Sequence, residues 1–185
     1  RVKGVEVNGE EIIESDYVIS NIHPKRTLEL LDKSRSIKNA YISRINSLAN
    51  SYGIFTIYLV MKKNSYPYMN RNYYIHGDND VWYNLDKAKG KTTKCMISMQ
   101  VSSDSNSYAD VITILTPMYI DELKAWEQTK PGRRGEEYLR FKEEKARQIL
   151  QFVREHGINF GDNIESMYTT TPLSYRDYTG TADGS

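Results

Sequence analysis

Cysteine is nearly absent from this sequence. Cys95 is the single one in 185 residues, so no disulfide can close within the chain and a reducing compartment suits it. Neither sign of charge prevails: 25 Lys and Arg face 24 Asp and Glu, a formal net charge of +1, which argues against nucleic-acid binding through bulk charge. No apolar run approaches the ~20 residues that span a bilayer, and no basic amphipathic helix stands out. The familiar catalytic signatures are missing as well: no P-loop, GxGxxG, HExxH or GxSxG occurs. His23, His76 and His156 are far apart and in no metal-ligand spacing, so each reads as structural, with His23 placed to cap or pack a strand-to-helix junction. Phenylalanine is scarce too, 4 against 15 tyrosines. Tyrosine joins a large apolar ring to a polar tip, which fits an amphipathic cavity or a tyrosine-rich surface.

What is present patterns as α+β. Val2, Val5 and Val7 lead to Asn8-Gly9, a strong hairpin signal, and Ile12, Ile13 and Tyr17-Val18-Ile19 continue the strand pattern. Pro24 suits a first helical position, opening a helix with Leu28, Leu30 and Leu31. A second helix is expected over Ser36–Leu48. Gly53–Met61 carries apolar residues on both faces and reads as a central strand covered on both sides. Arg71–His76 and Val81–Tyr83 flank a Gly77–Asp80 turn as a second hairpin. Lys94–Val101 and Val111–Leu115 read as strands, the latter closed by Thr116-Pro117, with a polar turn over Ser102–Ser107 between them. A short helix over Tyr119–Glu127 precedes the break Pro131–Gly135. The strongest helix follows over Glu136–His156, with Leu139, Ala146, Ile149, Leu150 and Val153 as its stripe and Gly157 as its stop. Glu136–Arg140 and Glu143–Arg147 are favourable i,i+4 pairs. The architecture expected is a mainly antiparallel sheet packed with helices.

The bland readings prevail for isolated chemistry. Cys95 in an alternating strand reads as a buried, inert thiol. Asp78 and Asp80 form a carboxylate pair on paper, but a solvated turn suits them better. Arg133-Arg134 has the charge to meet a phosphate or an anionic lipid, though an exposed loop pair more often meets neither. The closing stretch, Tyr168–Ser185, reads as a strand and a turn: Thr171 before Pro172 is pushed towards extended backbone, and Gly180 and Gly184 mark positive φ or close approach. Arg1–Val7 already lies inside an alternating pattern and the closing stretch stops in mid-motif, so the chain is expected to be a piece of a longer protein.

Three stretches together carry a resemblance. Gly4-Val5, Asn8-Gly9-Glu10, Ser15-Asp16 and Val18–Pro24 follow a GV-x-x-x-(D/N)G-E-x-x-x-(A/S)D-x-VISN-x-(H/A)P pattern. Trp126, Arg134-Gly135, Tyr138 and Lys142 follow W…RG…Y-x-x-x-K. Thr171–Ser185 follows TPLTYRDYTGTPEGS, departing at Ser174 and at Ala182-Asp183. In this the whole chain resembles the phytoene desaturase, carotenoid isomerase and retinol saturase family of FAD-dependent oxidoreductases; the end motifs are the more specific.

The resemblance implies the substrate-binding domain of a two-domain flavoprotein, with residues 1–22 a hairpin and strand of the FAD-binding domain, 23–170 the substrate-binding domain, and 171–185 the return towards the flavin. It implies FAD in the full-length protein and none held by this chain alone, which is expected to be inactive by itself. No residue is assigned as catalytic, cofactor-binding or metal-ligating. Thr171, Tyr175, Arg176, Tyr178 and Gly180 are the residues expected near substrate or flavin. Arg176 either stabilises an anionic reduced flavin or a polar substrate end, or pairs with Asp177 or a neighbouring helix and fixes the turn. The partner implied is an apolar polyene, carotenoid or retinoid-like substrate, to be desaturated, saturated or isomerised, with a cytoplasmic location and peripheral membrane contact. The exposed edge of the 1–22 hairpin invites pairing with a second copy. Two other readings stay open: a non-catalytic lipid- or protein-binding α+β module, and a flavoenzyme of the amine-oxidase plan acting on another substrate.

Overall fold

The computed structural model describes residues 2–32, 35–77, 90–101, 107–181 and 183–184. They fall into two compact units, Arg1–Ala49 and Asn50–Ser185. The readings of Asp78 and Asp80, of the strand at 81–83 and of the polar turn beginning at Ser102 lie outside the described residues.

In the first unit β1 (Gly4–Val7) pairs antiparallel with β2 (Glu11–Glu14). Asn8 and Gly9 sit at φ 54° and 74°, the left-handed pair that an Asn-Gly hairpin turn requires, and Glu10 N–H donates to Val7 O at 3.1 Å. The strand pattern at Tyr17-Val18-Ile19 forms no strand. Strands need a partner edge, and this sheet consists of β1 and β2 alone. Helix α1 (Pro24–Leu30) opens with proline at its start, and His23 Nδ1 accepts from Lys25 N–H at 3.3 Å, which is the capping role its position suggested. Helix α2 spans Asn39–Ser47, shorter at both ends than its apolar pattern. None of the described side chains of this unit is buried.

The second unit holds the core. Strands β3 (Gly53–Met61), β4 (Tyr73–His76), β5 (Lys94–Val101), β6 (Ala109–Met118) and β7 (Ile164–Thr170) form an antiparallel sheet in the order β4-β5-β6-β3-β7. Pairing follows alternation, because residues directly opposite share a face. On one face Phe55, Ile57, Leu59, Ile97, Ile112 and Ile114 are fully buried. They join Ala146, Ile149 and Val153 of α3 (Gly135–Glu155) and Leu123 of the 3-10 helix Ile120–Trp126 in one core. The other face is covered less than the two-sided pattern of β3 suggested: Ile54, Tyr58 and Val60 are only half-buried. β4 pairs with β5.

Strand β6 runs through Thr116-Pro117 to Met118 rather than ending there. Its ladder with β5 ends at Met96–Leu115 while that with β3 continues, so Pro117 lies where one side needs no N–H donor. On α3, Leu139 is 53% exposed, and Tyr138 and Lys145 take buried places instead. The Glu136–Arg140 pair forms at 3.3 Å, whereas Arg147 meets Glu144 rather than Glu143.

The closing segment differs most from its reading. It holds a helix, α4 (Pro172–Thr179). Thr171 is extended, as a residue before proline should be, but it serves as the N-cap: Thr171 Oγ1 accepts from Leu173 N–H at 3.2 Å and Ser174 Oγ from Thr171 N–H at 3.5 Å. Gly180 ends the helix at φ 69° with its N–H on Arg176 O. Gly53 lets α4 approach, since a Cβ there would stand 2.9 Å from the Pro172 ring. Gly184, at φ 72°, packs so closely that a Cβ would overlap the Pro172 carbonyl oxygen.

Cys95 is 4% exposed, and burial pushes its thiol up to about 12. With almost no thiolate at neutral pH, it is expected to resist a thiol-specific chromogenic reagent in the folded chain and to react fully in denaturant. Rapid labelling without denaturant would contradict this placement.

Candidate functional site

Helix α4 connects two polar clusters, and the second and third motif stretches meet around it. The first lies on the half-open face of the sheet. Register places Tyr74, Met96, Leu115, Thr56 and Thr170 in one row across all five strands, and Ser98, Thr113, Tyr58 and Tyr168 in the next. Aliphatic, aromatic and hydroxyl groups thus alternate over this face. At its β7 end Tyr175 of α4 reaches in, its hydroxyl 2.7 Å from Thr56 Oγ1. The Tyr58 hydroxyl lies among those of Tyr175, Thr170 and Thr56. Burial, then the neighbouring Tyr175, raises Tyr58 above the usual phenol value, while Thr170 and Thr56 pull the other way. Tyr58 therefore keeps its proton at pH 7. The cluster can orient a hydroxyl or carbonyl by hydrogen bonds.

The second cluster centres on Tyr138, which is 5% exposed. Its hydroxyl is 2.7 Å from Thr171 Oγ1. Its ring stands edge-on to Trp126 at 5.5 Å between centroids. The Arg134 guanidinium carbon and Lys142 Nζ lie 5.3 and 5.5 Å from the same ring centroid, within cation–π range. Arg134 is ion-paired with Asp177, and both side chains are largely buried. Asp177 also meets Arg176 at 3.4 Å. Lys142 Nζ donates to Thr169 O at 3.1 Å; burial, then the nearby Arg134, lowers its affinity for the proton. Arg134 is thus no exposed loop residue. Trp126, Arg134 and Lys142 of the W…RG…Y-x-x-x-K pattern converge on the ring of its tyrosine, Tyr138, and the TPLSYRD segment closes over it.

Four of the five residues expected near substrate or flavin divide between these clusters. Tyr175 faces the open sheet. Thr171 is buried against Tyr138, and Arg176 pairs with Asp177. Tyr178 is 87% exposed and lines a cavity of about 510 Å³ beside Arg134, Tyr138 and Lys142. Gly180 is the cap of α4. Sequence reasoning missed Tyr58, Thr56 and Thr170 as participants, and named Asp177 for Arg176 but not for Arg134. Pro172 and Gly180 at either end of an eight-residue stretch were a usable sign of α4; the hydroxyl row needed the strand register.

A separate cavity of about 750 Å³ is lined by Tyr66, Tyr73, Tyr74, His76 and His156 among others. His156 itself closes α3, its Nδ1 2.7 Å from Phe152 O and its ring 4.3 Å from that of Phe152. Among the described residues no group of His, Cys, Asp and Glu has the makings of a metal site, and no helix is long and apolar enough to cross a membrane.

The N-terminus of α4 does not fit the pyrophosphate of FAD. A dinucleotide pyrophosphate is met by a glycine-cushioned helix N-terminus with open N–H groups. Here the first turn of α4 is capped by Thr171 and Ser174, and Gly184 is filled by Pro172. Comparison with family models, with curated proteins and with solved structures finds no match to this chain.

Proposed function

We propose that this chain is the substrate-binding portion of a flavin-dependent oxidoreductase of the phytoene desaturase, carotenoid isomerase and retinol saturase type, acting on an apolar polyene-like substrate. One observation carries the reading: the half-open sheet face, where Met96, Leu115 and Val60 alternate with Tyr58, Thr56 and Thr170 and Tyr175 reaches in from the closing motif. Such a wall suits a long apolar molecule that carries a single polar end, because rings and aliphatic side chains bury the chain while a few hydroxyls fix its orientation. In this reading the flavin supplies the redox chemistry and is held by parts of the protein outside these residues. The residues here bind, orient and exclude water.

The test is the visible absorption spectrum of the natural full-length protein that contains this chain, before and after anaerobic reduction. A flavin spectrum that bleaches on reduction is the expected result. A folded, colourless protein that takes up no added FAD would overturn the reading in favour of a non-catalytic lipid- or protein-binding module.

A further inference from the structure

We propose that the cavity beside α3 and α4, walled by Arg134, Tyr138, Leu139, Lys142, Asp177 and Tyr178, binds the carboxylate end of a small amphipathic molecule. At about 510 Å³ it has the size of small-molecule pockets. The inference needs no flavin, concerns the 185-residue chain itself, and stands apart from the flavoprotein reading.

The charges in the cavity are unevenly matched. Arg134 is neutralised by Asp177, which also meets Arg176. Glu136 points its carboxylate to the exposed Arg140. Lys142 has no carboxylate among the described residues: one carbonyl, Thr169 O, and the Tyr138 ring are its neighbours. An ammonium has three donors, so Lys142 has donors left to offer. Arg134 points the same way. Its side chain is 7% exposed, yet its Nε–H finds no acceptor, and a buried donor without a partner is costly. Both charged ends lie within 5.3 and 5.5 Å of one ring centroid and Arg134 acts on Lys142 through its charge, so one anion with two oxygens is taken to serve both.

The rest of the wall defines the kind of anion. One uncompensated cation calls for a monoanion, and the second charge of a phosphate dianion would find no cation of its own. Leu139, 53% exposed, and Tyr178, 87% exposed, supply apolar surface for a hydrocarbon chain leading out of the cavity. Carboxylate binding would also restore the proton affinity that burial and Arg134 take from Lys142.

The experiment is calorimetric titration of the chain with octanoate, 1-octanol and inorganic phosphate. Octanoate is expected to bind at least about tenfold more tightly than the alcohol, a gap of about 1.4 kcal/mol, with phosphate weaker still. Lys142→Met, which keeps the aliphatic stem over Tyr138, is expected to bring octanoate down to the level of octanol and leave octanol unchanged. Equal affinities of acid and alcohol for the unsubstituted chain, tighter binding of phosphate, or no octanoate binding at about 1 mM would each overturn the proposal. The acid-to-alcohol comparison needs no variant, so it decides the question even where Lys142→Met fails to fold.

Discussion

Replacing Lys145 with alanine is expected to destabilise the second unit by about 3–5 kcal/mol. Lys145 projects from α3 into a place where it is only 5% exposed, and donates to Glu122 Oε2 at 3.1 Å and Gly90 O at 3.2 Å. Glu122, 15% exposed, also accepts from Tyr119 N–H at 3.4 Å at the start of the 3-10 helix. Removing the lysine leaves a poorly solvated carboxylate and an unserved carbonyl, and it removes a buried aliphatic stem. Removing both charges should cost much less than removing one. Lys145→Met with Glu122→Gln is therefore expected to lie at least about 2 kcal/mol above Lys145→Ala, because an amide oxygen remains for Tyr119 and the methionine refills the space. Urea unfolding followed by tryptophan fluorescence reads both. If Lys145→Ala stays within about 0.5 kcal/mol of the parent, the pair behaves as a solvated surface bridge and the packing of α3 on the 3-10 helix must rest on Leu123 and Trp126.

The placement of Lys145 shows what a linear pattern conveys and what it leaves out. The helical stripe on α3 was legible because Ala146, Ile149 and Val153 repeat at helical spacing, and the alternation of β3, β5 and β6 located the core face without any contact information. The pattern placed Leu139 inward and made no place for Tyr138 or Lys145. Apolarity alone cannot see that a lysine has a buried carboxylate waiting on another element, or that a tyrosine hydroxyl will meet Thr171 33 residues later. The same blindness applies to β6, where only the staggered ends of two ladders make Pro117 acceptable. In the closing segment the separate signals were all present: an extended residue before proline, a proline at a helix start, a serine three residues after the cap, and a glycine at the end. An eight-residue helix shows little apolar period, with Pro172 and Leu173 its only buried residues, so the caps carried information that periodicity did not. The candidate site was half legible. The motif residues Arg134, Tyr138, Lys142 and Thr171 do meet, but the partner that neutralises Arg134, and the row of hydroxyls around Tyr58, follow from packing and register.

Substituting Asp177 by alanine is expected to move stability and anion affinity in opposite directions. Asp177 is the carboxylate that pairs with Arg134, whose side chain is 7% exposed, and with Arg176, which is 20% exposed. Its removal leaves a buried guanidinium without a counter-ion, for a cost of about 3 kcal/mol or more, most of it arising at Arg134 because Arg176 retains contact with water. The cavity beside α3 then carries two uncompensated cations in place of one. A monoanion that competes with Asp177 in the parent no longer has to, so octanoate should bind several-fold more tightly to Asp177→Ala, and saturating octanoate should return part of the lost stability through linkage. A merely structural role for Asp177 would lower stability and leave octanoate binding unchanged or weaker. The double variant Arg134→Met with Asp177→Ala separates the two effects. It removes the orphaned charge together with its partner, so stability should recover towards the parent, while the gain in octanoate affinity disappears with the cation that caused it. Recovery of stability without loss of that gain would assign the added affinity to Lys142 alone, and Arg134 would then be a strut that holds α4 to the start of α3 and takes no part in binding.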